Sequence, residues 1–370
     1  MKNICFIAGT RPEIIKIAPV LHKFRKFGAD KFKVFCCITG QHKSMAEQAL
    51  SIFELIPDFD LSIMTPGQTL NSISAKIFEL MPTVFEKIKP DLVFIQGDTT
   101  TAAISGLVAF NLNIPVAHIE AGLRTYKLDA PFPEELNRRI ISNFSRFNFA
   151  PTLHSKNALL KENCNPDSIF ITGNTVVDAL EFVKKKYNLD EIFRTKFGFT
   201  KPFILITAHR RESFGHGFQN ICRAISESAQ KYPEIQFVYP VHLNPNVRLP
   251  VEQMLSPKEN IHLLEPVSYI EMLALLNRCL FCLTDSGGIQ EEAPSFNKYT
   301  IVMREFTERI ESIEIGMSEL VGTDLLKIAF AIDNQINHPK AIHDAIIQNP
   351  FGAGNTSDLI LEVVDNYFFS

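Results

Sequence analysis

Tryptophan is absent from this sequence of 370 residues, and long apolar runs are absent as well. The 31 phenylalanines must therefore carry most of the aromatic packing of the core. A bilayer-spanning helix needs about 20 apolar residues, and the apolar stretch at the N-terminus is too short even for a secretory signal. We therefore predict a soluble cytoplasmic protein with no membrane partner.

A large excess of one charge is also missing. The chain has 37 Lys and Arg against 41 Asp and Glu, which gives a formal net charge of -4. Because proteins that bind nucleic acid usually carry a basic excess, nucleic acid is not predicted as a partner. An anionic small molecule would have to be held by a local positive site.

The seven cysteines form no metal or disulfide pattern that spacing alone would reveal. Cys279 and Cys282 have C-x-x-C spacing, but no second pair or histidine follows at zinc-site spacing. The odd count and the apolar surroundings favour free buried thiols in a reducing compartment, so no metal site is predicted. G-x-G-x-x-G and the P-loop motif are absent too, which removes the main signs of a nicotinamide or P-loop site.

Short apolar runs alternate with stretches of helical spacing along the whole chain. Runs without polar alternation are typical of strands buried on both faces of a parallel sheet. The predicted strands are Ile4–Ala8, Val34–Thr39, Leu92–Gln96, Val116–Glu120, Phe203–Thr207, Gln236–Pro240, Ile261–Leu264, Leu280–Thr284 and Thr300–Met303. Helical patterns such as Leu70–Lys87 and Phe218–Lys231 lie between them, and this alternation predicts an α/β fold.

The pattern restarts about halfway along the chain. One series of strand-helix units ends near residues 149–151, a charged stretch follows at 184–196, and Pro202 introduces a second series. We therefore predict two Rossmann-like doubly wound domains with a boundary near residues 165–200. Since ligands of such sheets bind outside the carboxyl ends of the strands, the predicted site is a cleft that both domains face.

In the first half, polar residues cluster directly after the predicted strands. The clusters occupy residues 9–16, 97–101, 118–125 and 131–139. They supply three carboxylates, Asp98, Glu120 and Glu134, and they place Arg11 and Lys16 near the start of a helix that could face an anion. Taken singly, each cluster can also be explained as an ordinary helix cap or a surface ion pair.

The second half has its own set after its strands, at residues 207–213, 239–245 and 284–293. Ser286-Gly287-Gly288 lies at a strand-to-helix junction, where successive backbone N–H groups can meet a phosphate. Glu292 follows one turn later and could hold a diol such as a ribose, and His209 could act in acid-base chemistry. Paired carboxylates fit proton transfer or glycoside hydrolysis, and the phosphate cradle favours a nucleotide sugar.

These motifs resemble the non-hydrolysing UDP-N-acetylglucosamine 2-epimerases of bacteria. The matching stretches, in family order, are residues 9–16, 40–42, 97–101, 118–125, 133–138, 209–215, 239–247, 285–294 and 349–354. The resemblance implies a GT-B fold, in which residues 1–170 form the sugar-side domain and 171–355 the UDP-binding domain. A C-terminal helix at about 356–370 would pack back onto the first domain.

The resemblance also implies the activity, which is the interconversion of UDP-GlcNAc and UDP-ManNAc. The reaction would be an anti elimination of UDP to a 2-acetamidoglucal, followed by re-addition of UDP. No cofactor and no metal would be needed. The expected assembly is a homodimer, and the product would supply the synthesis of surface polysaccharide.

Residue roles are implied position by position. Asp98, Glu120 and Glu134 would be the acid-base carboxylates, with Lys16 beside them, and His209 would aid departure of the diphosphate. The substrate-binding residues would be Arg11, Arg138, His242, Ser286, Gly287, Gly288, Glu292 and Arg309. Which carboxylate acts as base and which as acid stays open.

The chain departs from the usual family sequence at residues 303–311, where Glu305, Phe306 and Ile310 replace Asp, Thr and Pro, and at Tyr299, where Pro is usual. Other activities therefore stay open. They are a hydrolysing 2-epimerase that releases ManNAc and UDP, a 2-epimerase of a modified UDP-sugar, a GT-B glycosyltransferase and a sugar-nucleotide sensor.

Overall fold

The computed structural model describes residues 1–40, 43–65, 67–256, 258–340 and 349–370. The chain divides into two compact units. Unit 1 consists of Met1–Phe182 together with Phe351–Ser370, and unit 2 consists of Val183–Pro350. No helix within the described ranges is long and apolar enough to cross a bilayer.

Unit 1 contains a parallel sheet of seven strands flanked by helices. The strands are β1 Lys2–Ala8, β2 Phe32–Ile38, β3 Phe59–Asp60, β4 Leu92–Gln96, β5 Val116–Ile119, β6 Phe147–Ala150 and β7 Ile169–Ile171. The helices are α1 Arg11–Phe27, α2 Lys43–Ile52, α3 Leu70–Ile88, α4 Thr100–Asn111, α5 Glu134–Phe144, α6 Leu153–Lys161, the first eight residues of α7 Thr175–Lys186, and α15 Thr356–Phe369. The spatial order of the strands is β3-β2-β1-β4-β5-β6-β7.

Unit 2 contains a parallel sheet of six strands in the order β10-β9-β8-β11-β12-β13. The strands are β8 Phe203–Thr207, β9 Gln236–Pro240, β10 Ile261–Leu264, β11 Cys282–Thr284, β12 Thr300–Val302 and β13 Ser318–Leu320. The helices are α8 Leu189–Lys196, α9 His216–Lys231, α10 Pro245–Leu255, α11 Tyr269–Arg278, α12 Gly287–Glu292, α13 Ile310–Glu314 and α14 Leu325–Asn337. Two parallel doubly wound sheets confirm the predicted α/β fold class.

Phenylalanine carries the aromatic packing of the first core, as the absence of tryptophan suggests. Phe6 of β1 stacks on Phe94 of β4 with ring centroids 4.5 Å apart, and Phe24 of α1 packs edge-on against both rings. Because the central strands are covered by helices on both faces, their residues are apolar without alternation. This is the pattern that made the strands visible in the sequence.

All nine predicted strands are present, with differences of one or two residues at some ends. Four strands were not predicted, namely β3, β6, β7 and β13, which have only two to four residues each. Strands this short carry too little periodicity to be distinguished from loops. The structure ends β5 at Ile119, so Glu120 lies in the loop beyond the strand rather than at its last position.

The unit boundaries lie at 182/183 and 350/351, whereas the sequence suggested 170/171 and 355/356. The start of α7 stays with unit 1 because Val176 and Val177 pack on Phe351. Asp178 also accepts hydrogen bonds from the backbone N–H groups of Thr356 and Ser357, at 3.2 and 2.8 Å. These contacts join α7 to the first turn of α15.

Each sheet has one point where the strand order reverses, and such switch points are where doubly wound proteins bind ligands. In unit 1 the switch point lies between β1 and β4, and in unit 2 it lies between β8 and β11. The loops that follow these four strands, together with the helices that they lead into, contain eight of the thirteen predicted site residues, namely Arg11, Lys16, Asp98, His209, Ser286, Gly287, Gly288 and Glu292.

Candidate functional site

The loop after β1 is held by the buried carboxylate of Glu13. Its Oε2 accepts hydrogen bonds from the backbone N–H groups of Gly9 and Thr10, at 3.0 and 2.7 Å, and from the Thr10 hydroxyl. Its Oε1 accepts from the hydroxyl of Thr99, which follows β4. Burial raises the pKa of Glu13 to about 7, although these four donors act in the opposite direction. Glu13 therefore joins the two loops at the switch point, and Arg11, the first residue of α1, is half-buried.

Glycine is required at position 9 because neighbouring side chains approach its Cα closely, and not because its backbone angle is unusual. A Cβ at this position would lie 2.6 Å from Oγ1 of Thr39 and would overlap the side chain of Thr101. The loops after β1, β2 and β4 therefore pack directly against one another.

Lys16 and Glu120 form a buried ion pair in unit 1. Lys16 comes from α1, and Glu120 follows β5 with a left-handed backbone angle, φ 68°. The side chain of Asn174 donates a second hydrogen bond to Glu120 Oε2 at 3.2 Å. Left-handed geometry is unusual for a glutamate, and such conformations cluster at functional sites. The structure thus brings together two of the predicted catalytic residues.

Asp98 is anchored by the helix that Glu134 begins. Arg138 Nε donates to Asp98 Oδ2 at 2.8 Å, and the Asn137 side chain donates to the backbone carbonyl of Asp98 at 2.8 Å. Arg138 is also paired with the fully buried Glu135 at 3.2 Å. Since Glu134 lies one helical turn before Arg138, α5 connects two of the three predicted acids.

His118 of β5 is buried and neutral. Its Nε2 lies 2.7 Å from the carbonyl oxygen of Gly97, the residue before Asp98. Burial lowers the pKa of His118 to about 4, so the ring carries no charge near neutral pH and donates from Nε2 to that carbonyl.

In unit 2 the loop after β8 is held by Asp285, which follows β11. Asp285 Oδ2 accepts hydrogen bonds from the backbone N–H groups of His209 and Arg210, at 2.6 and 2.7 Å. The His209 ring stacks on the ring of His242, with centroids 5.3 Å apart. His242 Nδ1 in turn accepts from the backbone N–H of Asn244. Both predicted histidines therefore lie together at the second switch point.

The predicted phosphate cradle begins the short helix α12. Ser286 is the N-cap, and its own N–H donates to Oγ1 of Thr284 at 2.9 Å. The N–H groups of Gly287 and Gly288 belong to the first turn, where a helix has no internal acceptors for them. Glu292 ends the helix and is buried.

Arg309 lies directly against this turn. A Cβ on Gly287 would lie 2.8 Å from Cζ of Arg309, so glycine is needed for the guanidinium to approach the backbone. Arg309 Nη2 pairs with Glu291 at 2.7 Å and Nη1 with Glu308 at 3.1 Å. The sequence assigned Arg309 to the substrate, and the structure places it in buried ion pairs with neighbouring acids.

These ion pairs continue beyond the cradle. Arg304 pairs with Glu308 at 3.2 Å and with Glu212 at 2.6 Å. Glu212 belongs to the same loop as His209, so alternating charges connect the loop after β12 with the loop after β8. Within the altered stretch at residues 303–311, Arg304, Glu308 and Arg309 therefore all form ion pairs.

Sequence reasoning assigned no role to several residues that hold the site. No separate role is predicted for Glu13 or Asp285 within their stretches, and Asn174 belongs to none of the matching stretches. Their roles are seen only in the folded structure, because their partners lie far away in the sequence. The predicted family residues Gln41 and His42 lie outside the described residues.

All seven cysteines are free, and six of them are buried. The Sγ atoms of Cys279 and Cys282 are 3.7 Å apart. Within the described ranges, no three His, Cys, Asp or Glu side chains converge as a set of metal ligands.

Two parallel sheets with polar and glycine-rich loops at their switch points define the doubly wound, Rossmann-like class of α/β protein, whose ligands bind at these points. The model of the family described as UDP-N-acetylglucosamine 2-epimerase matches residues 25–365. The chain therefore belongs to this family, as the sequence predicted.

Individual relatives agree with this assignment. A UDP-N-acetylglucosamine 2-epimerase of Neisseria meningitidis is 46% identical over 369 residues, which are 98% of this chain and 99% of that protein. One of Escherichia coli K12 is 44% identical over 374 residues, 98% of each chain. The crystal structure of a Neisseria meningitidis UDP-GlcNAc 2-epimerase bound to UDP-GlcNAc has a TM-score of 0.93 at 44% identity, and covers 99% of this chain and 100% of that one.

Proposed function

We propose that this chain interconverts UDP-GlcNAc and UDP-ManNAc without hydrolysing them. The observation that carries the proposal is the buried Lys16–Glu120 pair one strand away from the Asp98–Arg138 pair. Proton transfer at an unactivated carbon needs acids and bases in fixed and different surroundings, and these two carboxylates have them. The family and its relatives support the choice of a UDP-sugar.

The reaction would begin with loss of the C2 proton to a carboxylate. The electron pair of the C2–H bond forms the C1–C2 double bond, and the C1–O bond breaks with its pair on the oxygen of UDP. The product is a 2-acetamidoglucal. Delivery of a proton to the opposite face of C2 and return of the UDP oxygen to C1 then give the epimer.

Asp98, Glu120 and Glu134 would exchange these protons, and Lys16 would keep Glu120 charged. Arg138 would orient Asp98 in addition to contacting the sugar. Arg11, His209 and His242 would contact the diphosphate, the turn Ser286-Gly287-Gly288 would bind a phosphate, and Glu292 would bind the ribose. Arg309, lying against that turn, would add positive charge to it.

The wider assignments are part of the proposal. The enzyme would be a cytoplasmic homodimer, and UDP-ManNAc would feed the synthesis of surface polysaccharide. Unit 1 would act on the sugar, and unit 2 would bind UDP.

The direct test is incubation with UDP-GlcNAc in deuterated water, followed by proton NMR. We expect deuterium at C2 and UDP-ManNAc as the product. Free ManNAc and UDP would indicate the hydrolysing reaction instead, and an unexchanged C2 proton would exclude both.

The acids are tested by Asp98→Asn, Glu120→Gln and Glu134→Gln. Each should lose roughly 100- to 10,000-fold in turnover while still binding UDP, because a positioned acid or base contributes about that much. Asp91→Asn is the matched control, since Asp91 lies before β4 and binds Asn3 N–H and Lys2 at the other end of the same strand. Wild-type turnover in the three site variants would refute their assignment.

A further inference from the structure

Asp285 has contacts that the proposed reaction does not yet use. It follows β11 directly, is fully buried, and its N–H donates to the carbonyl of Thr207 at 2.9 Å. One carboxylate oxygen, Oδ2, accepts the two backbone hydrogen bonds from His209 and Arg210. Asp285 therefore fixes the backbone on which the His209 side chain stands.

The other oxygen, Oδ1, is buried and accepts no hydrogen bond within the part of the chain that the structure describes. The nearest ring nitrogen is His209 Nδ1, at 3.7 Å. A buried carboxylate oxygen without a donor is costly, and a protonated imidazole would supply the donor that is missing. Such hydrogen bonds are often long before the substrate binds and shorten in the complex.

Among the described residues, the other groups around His209 donate no hydrogen bond to Asp285 Oδ1. His242 stacks on the ring and uses its Nδ1 to accept from Asn244, and Arg210 on the same loop adds positive charge that opposes protonation of His209. Tyr239 of β9 donates its hydroxyl to the carbonyl of Ala208. Burial, with the Asp285 charge second, raises the pKa of Tyr239 well above its usual value, so it stays neutral.

We propose that Asp285 is the positioning residue of His209. It holds the loop through Oδ2 and receives Nδ1–H of the imidazolium through Oδ1, which directs Nε2–H to the diphosphate. As the C1–O bond breaks, its electron pair stays on the UDP oxygen. The hydrogen bond from His209 Nε2–H stabilises the negative charge that develops there, and no further proton is transferred. This inference rests on the proposed function, in which UDP is the leaving group.

The test is Asp285→Asn. The asparagine oxygen can still accept both backbone hydrogen bonds, but the side-chain amide replaces Oδ1 with a donor. This donor pairs with the lone pair of a neutral Nδ1 and disfavours the imidazolium. We expect kcat to fall by at least about tenfold near pH 8, more than KM rises, and the alkaline limb of the kcat profile to move to lower pH. An unchanged alkaline limb would overturn the proposal.

Two comparisons separate positioning from a general structural effect. In a His209→Gln background, Asp285→Asn should cost less than about twofold, because the two residues act as one unit. Equal losses in both backgrounds would overturn the proposal. Asp324→Asn is the matched control, since Asp324 also accepts a backbone N–H, that of Lys327 at 2.9 Å, but caps the start of α14. It should behave as the wild type.

NMR provides a readout that does not depend on activity. With ¹³C-labelled histidine, and His209→Gln to assign the signal, His209 should titrate at higher pH in the wild type than in Asp285→Asn. Identical titration would overturn the role of Asp285. If Asp285→Asn does not fold, the wild type alone decides, because its protonated His209 must show an Nδ1–H that exchanges slowly with water, and rapid exchange would overturn the proposal. Absence of C2 exchange in the wild type would instead refute the proposed function and leave the titration result valid.

Discussion

Both units hold a buried carboxylate at the point where the strand order reverses, and the two carboxylates differ in what they face. In unit 1, Glu13 lies on the helix after the first central strand and reaches forward to Thr99. In unit 2, Asp285 lies after the later strand and reaches back to His209. Glu13 is surrounded by hydroxyl and amide donors, whereas Asp285 faces an ionisable ring.

The difference shows that a carboxylate at the switch point of the same topology can have two different roles. In unit 1 the switch-point carboxylate fastens two loops, and the charges proposed to act on the sugar lie beside it, in Lys16 and Glu120. In unit 2 the switch-point carboxylate itself is coupled to a histidine. Three experiments test this difference between the units.

The largest effect is expected from Arg309→Met in unit 2. This change removes a buried cation that pairs with Glu291 and Glu308, of which Glu308 keeps its pair with Arg304, and breaking a buried pair costs about 3–5 kcal/mol of unfolding free energy. Urea unfolding measures the loss. The matched control is Arg248→Met, whose exposed pairs with Glu252 and Glu265 should contribute little. Equal stability of the two variants would show that the network under the cradle is not structural.

The second effect compares two helix-capping glutamates. Glu13 is the third residue of α1 and Glu271 the third residue of α11, and each reaches back to the residue before its helix. Burial raises the pKa of Glu13 to about 7. Burial acts in the same direction on Glu271, but hydrogen bonds from Ser268 and Lys196 outweigh it and lower the pKa of that carboxyl.

The two glutamates therefore predict opposite pH dependence. A raised folded-state pKa stabilises below the usual value of 4.5, and that stability is lost as the pH rises towards 7. Relative to Glu13→Gln, which does not titrate, the wild type should thus lose up to roughly 3 kcal/mol of stability as the pH rises from 4.5 to above about 7. Glu271→Gln should be less stable than the wild type at neutral pH, with the deficit fading in acid. Thermal unfolding at several pH values checks both, and the same sign in both variants would contradict the assignment.

The smallest effect is expected from Asn174→Ala in unit 1. Asn174 donates to Glu120 Oε2, and a hydrogen bond to a charged group contributes about 1.5–3 kcal/mol. Steady-state kinetics should show a loss of about tenfold or more in kcat with little change in KM. Asn277→Ala removes a similar amide-carboxylate contact on the surface of unit 2, with Asp190, and should leave kcat unchanged. A change in KM alone would assign Asn174 to binding rather than to Glu120.

The sequence predicted the sheets better than the contacts between their loops. Continuous apolar runs identified the central strands, because burial on both faces leaves a local signal. The short strand Ser318–Leu320 left none, since its pairing with β12 is a long-range event. Asp98, Glu120 and Lys16 could be proposed from their positions after strands and from the family resemblance.

The supporting residues could not be predicted in this way. Glu13 and Thr99 are 86 residues apart in the chain, and Asp285 and His209 are 76 apart. Nothing near Asp285 in the sequence indicates that its carboxylate meets the loop after β8. Likewise, nothing in the sequence indicates that Arg309 pairs with Glu291, 18 residues earlier in the chain, and its role towards the substrate stays a prediction.

The position of α15 has a consequence for how the molecule is made. Unit 1 is completed by the last twenty residues, whose first turn binds Asp178 and whose aromatic rings pack on Phe32 and Phe147. On the ribosome, the whole of unit 2 is therefore synthesised before the acid-bearing unit has its final helix. A fragment ending at Phe182 would leave Asp178, Phe32 and Phe147 without their contacts to α15, so the first unit depends on a segment that is synthesised after the whole of unit 2.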